Sequence, residues 1–255
     1  MQRPDTVPGD ASVARAADRP APTALPVQAV LFDLDGTLID TESQTDAAIS
    51  VIAARHGVAN FSLPHGETRG RTWMHVADTM RARTGINVPA AVLAGAMLAW
   101  WNEAVTEARA LPGAQQAMRA AAAAGLKLAV VSSSPRSVIN HFLARLAVGD
   151  CVGAQARIGA DSVRKGKPDP EGFLLAVRVL AADPAATLVF EDSQAGLLAA
   201  RAAGMRSMFI TCCASDIAAN TALATASCSH YETLPLQFWN DLAAGAIDLT
   251  NRSFP

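Results

Sequence analysis

Two aspartates separated by a single residue at the end of an apolar run place both carboxylates on one side of an extended chain. Ala29-Val30-Leu31-Phe32 runs straight into such a pair, in Asp33-Leu34-Asp35-Gly36-Thr37. A second apolar run, Leu126 to Val131, ends in Ser132-Ser133-Ser134, and a third, Thr187 to Phe190, ends in Glu191-Asp192-Ser193. Ligands of open parallel sheets bind beyond the carboxyl ends of the strands, so these three endings define one polar edge. A single acidic strand end is equally well a helix cap or a turn residue. Several together concentrate negative charge that a folded chain tolerates only beside a cation.

Hard oxygen donors with no His or Cys among them favour Mg²⁺ over zinc or copper, and a Mg²⁺ site that keeps several waters commonly serves a phosphate. An aspartate at such a site can itself attack phosphorus. That reaction needs positive charge besides the metal. The only lysines are Lys127, Lys165 and Lys167, and the last two fall in Arg164-Lys165-Gly166-Lys167-Pro168-Asp169-Pro170, a loop stiffened by its prolines. The histidines, His56, His65, His75, His141 and His230, show no ligand spacing. Cys151, Cys212, Cys213 and Cys228 lack CxxC spacing and read as small buried thiols of a reducing compartment. A redox or metal role for the adjacent Cys212-Cys213 pair is the alternative.

The elements that must position these groups follow from periodicity. Val27 opens the folded chain, and Ala29 to Phe32 predicts a strand buried on both faces. Three helices come next with no strand among them. The first carries Ala48, Ile49, Ile52 and Ala53 and stops at Gly57; the second carries Trp73, Val76, Ala77 and Met80 and stops at Gly85. The third starts at Pro89 and buries Val92, Leu93, Ala96, Met97, Trp100 and Trp101, although both tryptophans cannot face inward on one helix. Beyond Leu111-Pro112-Gly113, helices and strands alternate: a helix to Ala124, the Leu126–Val131 strand, and a helix from Arg136 to Leu146. A helix capped by Asp169 then runs to Leu180, followed by the Thr187–Phe190 strand, a helix from Gln194 to Ala203 and a strand from Ser207 to Ile210. Such alternation predicts an α/β fold, a doubly wound parallel sheet interrupted by an α-helical insertion. The expected division is a disordered Pro/Ala-rich tail over 1–26, a core over 27–41 and 111–255, and a helical cap over 42–110. Beyond Cys212 only a flanking strand and helix are legible.

Composition excludes other classes of function. The chain has 255 residues, 51% hydrophobic and 17% charged, with a formal net charge of −2. Nothing here neutralises a nucleic-acid backbone. Roughly a fifth of the residues are alanine, and no apolar run approaches the ~20 residues that span a bilayer. The first residues lack the apolar stretch of a secretory signal, and Asp5, Asp10 and Asp18 balance Arg3, Arg15 and Arg19. The expectation is a cytoplasmic protein with neither nucleic-acid nor membrane partners.

Four segments now line up: Asp33-Leu34-Asp35-Gly36-Thr37-Leu38-Ile39-Asp40, Val130-Val131-Ser132-Ser133-Ser134, Gly166-Lys167-Pro168-Asp169-Pro170 and Phe190-Glu191-Asp192-Ser193-Gln194-Ala195-Gly196. In this order they resemble the four motifs of the haloacid dehalogenase superfamily, and the helical insertion resembles the cap of its β-phosphoglucomutase-like branch. The resemblance implies a Rossmann-like core and a Mg²⁺-dependent phosphatase acting through an aspartyl-phosphate. It implies Asp33 as nucleophile and metal ligand, and Asp35 as general acid and then base, its carbonyl on Mg²⁺. Ser132 and the Ser133 N–H are implied to hold the phosphoryl group, and Lys167 to neutralise it. Asp192 is the implied metal carboxylate, with Glu191 a second, direct or through water. In the cap, Thr68-Arg69-Gly70-Arg71-Thr72-Trp73 resembles the substrate-facing loop, with Arg69, Gly70 and Arg71 as candidates; Trp73 reads as packing before stacking.

Arg136, four residues past Ser132, is a further candidate. Asp35 at the second position implies phosphoryl chemistry rather than dehalogenation. No lysine lies between Glu42 and Ala110, which disfavours the Schiff-base chemistry of phosphonate-cleaving relatives. The same lack, with Thr45 where the mutase has histidine, disfavours a sugar-phosphate mutase, which remains the alternative. The expected partner is a small phosphorylated metabolite such as a sugar or polyol phosphate monoester, and this branch is often monomeric.

Overall fold

Strand β1 (Ala29–Phe32) is buried along its whole length, as an apolar run with no polar alternation requires. The computed structural model describes residues 24–68, 71–105, 108–214 and 216–255; most of the expected tail lies outside them. After β1 come a short strand β2 (Ile39–Asp40) and helices α1 (Glu42–Arg55), α2 (His65–Thr68), α3 (Trp73–Thr84) and α4 (Ala90–Ala104). Strand β3 (Arg109–Ala110) closes this excursion by pairing antiparallel with β2. The remainder alternates: α5 (Ala114–Ala123), β4 (Lys127–Val131), α6 (Arg136–Arg145), β5 (Arg157–Ile158), α7 (Glu171–Leu180), β6 (Thr187–Glu191), α8 (Gln194–Ala202) and β7 (Arg206–Ile210). It ends with α9 (Ile217–Leu223), β8 (Ala226–Cys228), α10 (Phe238–Ala244) and β9 (Arg252–Phe254).

Seven strands form one sheet in the order β5-β4-β1-β6-β7-β8-β9, and every pairing is parallel. The architecture is therefore the doubly wound α/β fold that the alternation predicts. Strands β5, β8 and β9, of two or three residues each, lie below the length at which an apolar period is visible. Their place in the sheet comes from the neighbouring strand's free edge.

Register decides the chemistry. Phe32 lies opposite Val130 of β4 on one side and Phe190 of β6 on the other. One step further along, Asp33 therefore comes level with Val131 and Glu191, and its N–H donates to the Phe190 carbonyl at 3.0 Å. Beneath this edge the rings of Phe32 and Phe190 stack at 5.3 Å, with Tyr231 and Trp239 tilted against both.

Helix boundaries follow local capping. Thr72 caps α3 by accepting from the His75 N–H, and Gly85 ends it at φ 72°. The third predicted helix is α4, with Pro89 as its cap rather than its first residue. Leu93, Met97 and Trp101 are buried as expected, and Trp100 is half-buried. Val92 is a correction: it is 57% exposed, because it falls outside the stripe that Leu93, Met97 and Trp101 define. The helix expected to be capped by Asp169 starts at Glu171, with Pro170 at its cap, while the Asp169 carboxylate still accepts from the Glu171 N–H. Alanine fills the sheet-facing side of α5, where Ala114, Ala117 and Ala121 are buried beside Met118.

Phe190 is fully buried at the centre of the aromatic stack. Replacing it by alanine is expected to cost about 3–5 kcal/mol in urea unfolding; a loss below about 1 kcal/mol would show the stack to be dispensable.

Candidate active site

The carboxyl ends of β1, β4 and β6 and the loop before α7 meet at one point. Lys167 reaches across from that loop, and its ammonium donates to Asp33 Oδ1 at 2.5 Å and to Glu191 Oε1. All three side chains are almost wholly enclosed: 5% of Lys167, 6% of Asp33 and none of Glu191 remains exposed. Glu191 spends its other oxygen on three donors, the N–H groups of Asp192 and Ser193 and the Ser193 hydroxyl. With both oxygens occupied, Glu191 is well placed to hold Lys167.

Asp35, on the same side of the chain as Asp33, is clamped by hydroxyl groups. Thr41 Oγ1 donates to its Oδ1 at 3.0 Å; Ser132 and Ser134 donate to its Oδ2 at 3.1 and 2.9 Å. Nothing in the sequence assigns a role to Thr41 or Ser134. Their only signal was hydroxyl chemistry within or beside segments already singled out. Asp192 lies under the β1 turn, where Thr37 Oγ1 donates to its Oδ1 at 3.3 Å.

Two glycines make room for these carboxylates. A Cβ on Gly36, which has φ +79°, would stand 2.7 Å from Asp192 Cγ, and one on Gly196 would collide with the Glu191 carboxylate. Helix α8 can thus begin immediately behind Glu191, with Ser193 capping it onto the Gly196 N–H.

Above the aspartates a cavity of about 40 Å³ is lined by Asp33, Asp35, Ser133 and Ser134 from the core and by Thr45, Thr68, Arg71, Trp73, Val76 and Trp101 from the helices after β2. Arg71 lines it with a buried Nε that has no hydrogen-bond partner among the described residues. Trp73 packs edge-on against Trp101 at 6.2 Å while lining the cavity, and Trp101 Nε1 donates to Thr45 Oγ1 at 3.2 Å. Arg69 and Gly70, the other cap candidates, lie outside the described residues. Arg136 is absent from the lining; its guanidinium bonds Ser162 Oγ at 3.4 Å, because α6 turns this face away from the site.

Asp33, Glu191 and Asp192 can each offer one oxygen such that the atoms lie within 4.8 Å of one another. Residues 27–204, which carry all of these groups, match the family described as haloacid dehalogenase-like hydrolase. The chain belongs to that family. This hydrolase is 36% identical over 179 residues to validoxylamine A 7′-phosphate phosphatase of Streptomyces hygroscopicus subsp. limoneus, across 69% of this chain and 81% of that protein. It is 32% identical over 178 residues to hexitol phosphatase A of Escherichia coli K12, across 68% of this chain and 78% of that one. Its fold is similar to that of β-phosphoglucomutase from Clostridium difficile, with a TM-score of 0.71 at 20% identity, across 85% of this chain and 97% of that one. The family generally uses a divalent metal, and the all-oxygen cluster fits one.

Electrostatics point the same way. Burial pushes the Asp33 carboxyl up to about 8, with Glu191 and Asp35 adding to the rise and Lys167 opposing it. Burial also raises Asp35 against its three hydroxyl donors. Burial pulls the Lys167 ammonium down, but Asp33 and Glu191 outweigh it and hold the group above its ordinary value. Since Asp33 lies above its unfolded value of 3.8, its contribution to stability is complete below that value and is lost as pH rises through about 8. Lys167, also raised, keeps its contribution across this window. With a chelator present, the melting temperature is expected to fall between about pH 5 and pH 9, and a saturating divalent cation to flatten the fall. A profile that is flat without metal would contradict this assignment.

Proposed function

We propose that this hydrolase is a phosphatase that cleaves the phosphate monoester of a small polyhydroxylated metabolite through a phosphorylated Asp33. The observation that carries the reading is the Lys167 ammonium held between Asp33 and Glu191, beside an Asp35 clamped by three hydroxyl groups. Lys167 occupies Asp33 Oδ1, which leaves Oδ2 as the attacking atom. As Oδ2 bonds to phosphorus, the ester bond breaks in line and Asp35, protonated, gives its proton to the leaving oxygen. A carboxyl raised by burial suits that donor role. Asp35, now a carboxylate, takes a proton from the water that attacks the aspartyl-phosphate. Inorganic phosphate leaves and Asp33 is restored.

Ser132 changes partner in this scheme. Its hydroxyl turns from Asp35 to the phosphoryl oxygens, joined by the Ser133 N–H, while Thr41 and Ser134 continue to hold Asp35. Lys167 balances charge on the transferring group. Asp33, Asp192 and the Asp35 carbonyl are the proposed Mg²⁺ ligands, with Glu191, its oxygens held by Lys167 and three donors, placed to act through water. When bound, the ion neutralises phosphoryl charge as a Lewis acid.

Arg71 is proposed to pair with a polar or anionic part of the substrate, since a buried guanidinium Nε with no partner among the described residues is completed by one. The names of the relatives, a validoxylamine phosphate and a hexitol phosphatase, support sugar-like and polyol esters as the substrate class. The sugar-phosphate mutase reading gains no observation of its own.

Phosphate release is the test, over phosphorylated sugars, polyols, glycolate and nucleotides with and without Mg²⁺. Sugar or polyol esters are expected to turn over fastest, and only with the metal. Asp33→Asn is expected to lower turnover by roughly 10⁴-fold or more with an unchanged far-ultraviolet spectrum; near-normal activity would remove Asp33 from the nucleophile role. With a sugar 1-phosphate, accumulation of the 6-phosphate in place of inorganic phosphate would favour the mutase.

A further inference from the structure

Beyond β7 the chain turns through Thr211, Cys212, Cys213 and Ala214, closed by the Ala214 N–H on the Thr211 carbonyl at 3.2 Å. Two bonds anchor the turn to the end of β8: Thr211 N–H to the Cys228 carbonyl and Cys212 N–H to the Ser229 carbonyl, at 3.0 and 3.1 Å. Held this way, the adjacent side chains converge, with Sγ atoms 3.8 Å apart. Cys212 is exposed, correcting the expectation of a buried thiol, whereas Cys213 is half-buried and packs against the core. The two sulfurs thus differ in access while remaining within reach of each other.

We propose that Cys212 and Cys213 form a peroxide-sensitive dithiol, in which Cys212 is oxidised first and Cys213 then closes a reversible vicinal disulfide. Oxidant-sensing cysteines combine thiolate character, solvent access and a neighbouring thiol that resolves the first product. Cys212 has all three. The hydrogen bond it shares with Cys213 lowers its thiol to about 7, against opposing burial. The same bond, burial and the nearby Asp40 and Asp192 carboxylates raise Cys213, which suits a resolving thiol. The other two cysteines contrast: Cys228 is buried and pushed up to about 12, and Cys151 is raised by burial and by Asp150.

In the first step the Cys212 thiolate attacks one oxygen of hydrogen peroxide. The O–O bond breaks, and the departing hydroxide takes up the proton Cys212 released and becomes water. In the second step the Cys213 sulfur attacks the Cys212 sulfenic acid, and the hydroxyl leaves with the Cys213 proton as a second water. Two thiols have then given two electrons and two hydrogens to one peroxide. Neighbouring α-carbons sit about 3.8 Å apart, short of the ~4.4 Å where ordinary disulfides begin, so the ring is strained and readily reduced.

The test treats the full chain with about one molar equivalent of hydrogen peroxide, followed by thiol blocking and peptide mapping. The expected product lacks two hydrogens, maps to the peptide containing Cys212 and Cys213, and reverts with dithiothreitol. Cys151 and Cys228 are expected to remain free thiols. In Cys213→Ser a sulfenic-acid probe is expected to label Cys212, because nothing resolves it. Oxidation of Cys151 or Cys228 first, a predominantly intermolecular disulfide, or absence of any Cys212 modification in the wild-type chain would overturn the proposal.

Discussion

One buried ammonium between two buried carboxylates organises this molecule. Lys167 bridges Asp33 and Glu191 where nearly all water is excluded, and desolvating such ions costs several kcal/mol each unless every charge finds partners. The surroundings supply them. Two backbone N–H groups and a hydroxyl complete Glu191, and the Phe173 ring lies 5.1 Å from the ammonium. Gly36 and Gly196 are required by the same packing, since a Cβ at either position would occupy the space of a carboxylate.

One lysine cannot balance Asp33, Asp35, Glu191 and Asp192. Burial raises the Asp33 and Asp35 carboxyls, with Glu191 and Asp35 adding to the rise at Asp33, and the uncompensated charge makes the edge receptive to a divalent cation and to a phosphoryl group whose charge needs one. Hydroxyl groups manage the rest. Thr41, Ser132 and Ser134 orient Asp35 without adding charge, and Ser132 can leave the clamp while the other two retain it. Across the cavity, Arg71 and the Trp73–Trp101 pair bring the helices between β2 and β3 over the aspartates. The charged groups of this edge therefore come from the strand ends and the loop before α7, and the facing wall of the cavity from the helical excursion.

The turn beyond β7 belongs to the same edge but to different chemistry. There, soft sulfur atoms stand in the negative field of Asp40 and Asp192. The sheet positions both sites because each is a strand ending, and a strand ending is where backbone pairing stops and side chains become available for other work.

Sequence alone determined the element types and the order of the polar strand endings, because both are local. Apolar runs mark the buried strands β1, β4, β6 and β7, helical spacing marks α3 and α4, and acidic or hydroxyl residues follow each run that reaches the site. Only the tertiary structure decided which endings meet. Placing β1 between β4 and β6 brings Lys167 to Asp33 across 134 residues of chain and sets Asp33 level with Glu191. It also turned Arg136 towards Ser162, exposed Cys212, and recruited Ser134 and Thr41 to Asp35. No period or spacing encodes those outcomes, since each depends on strand order, on register, or on which neighbour fills the remaining space.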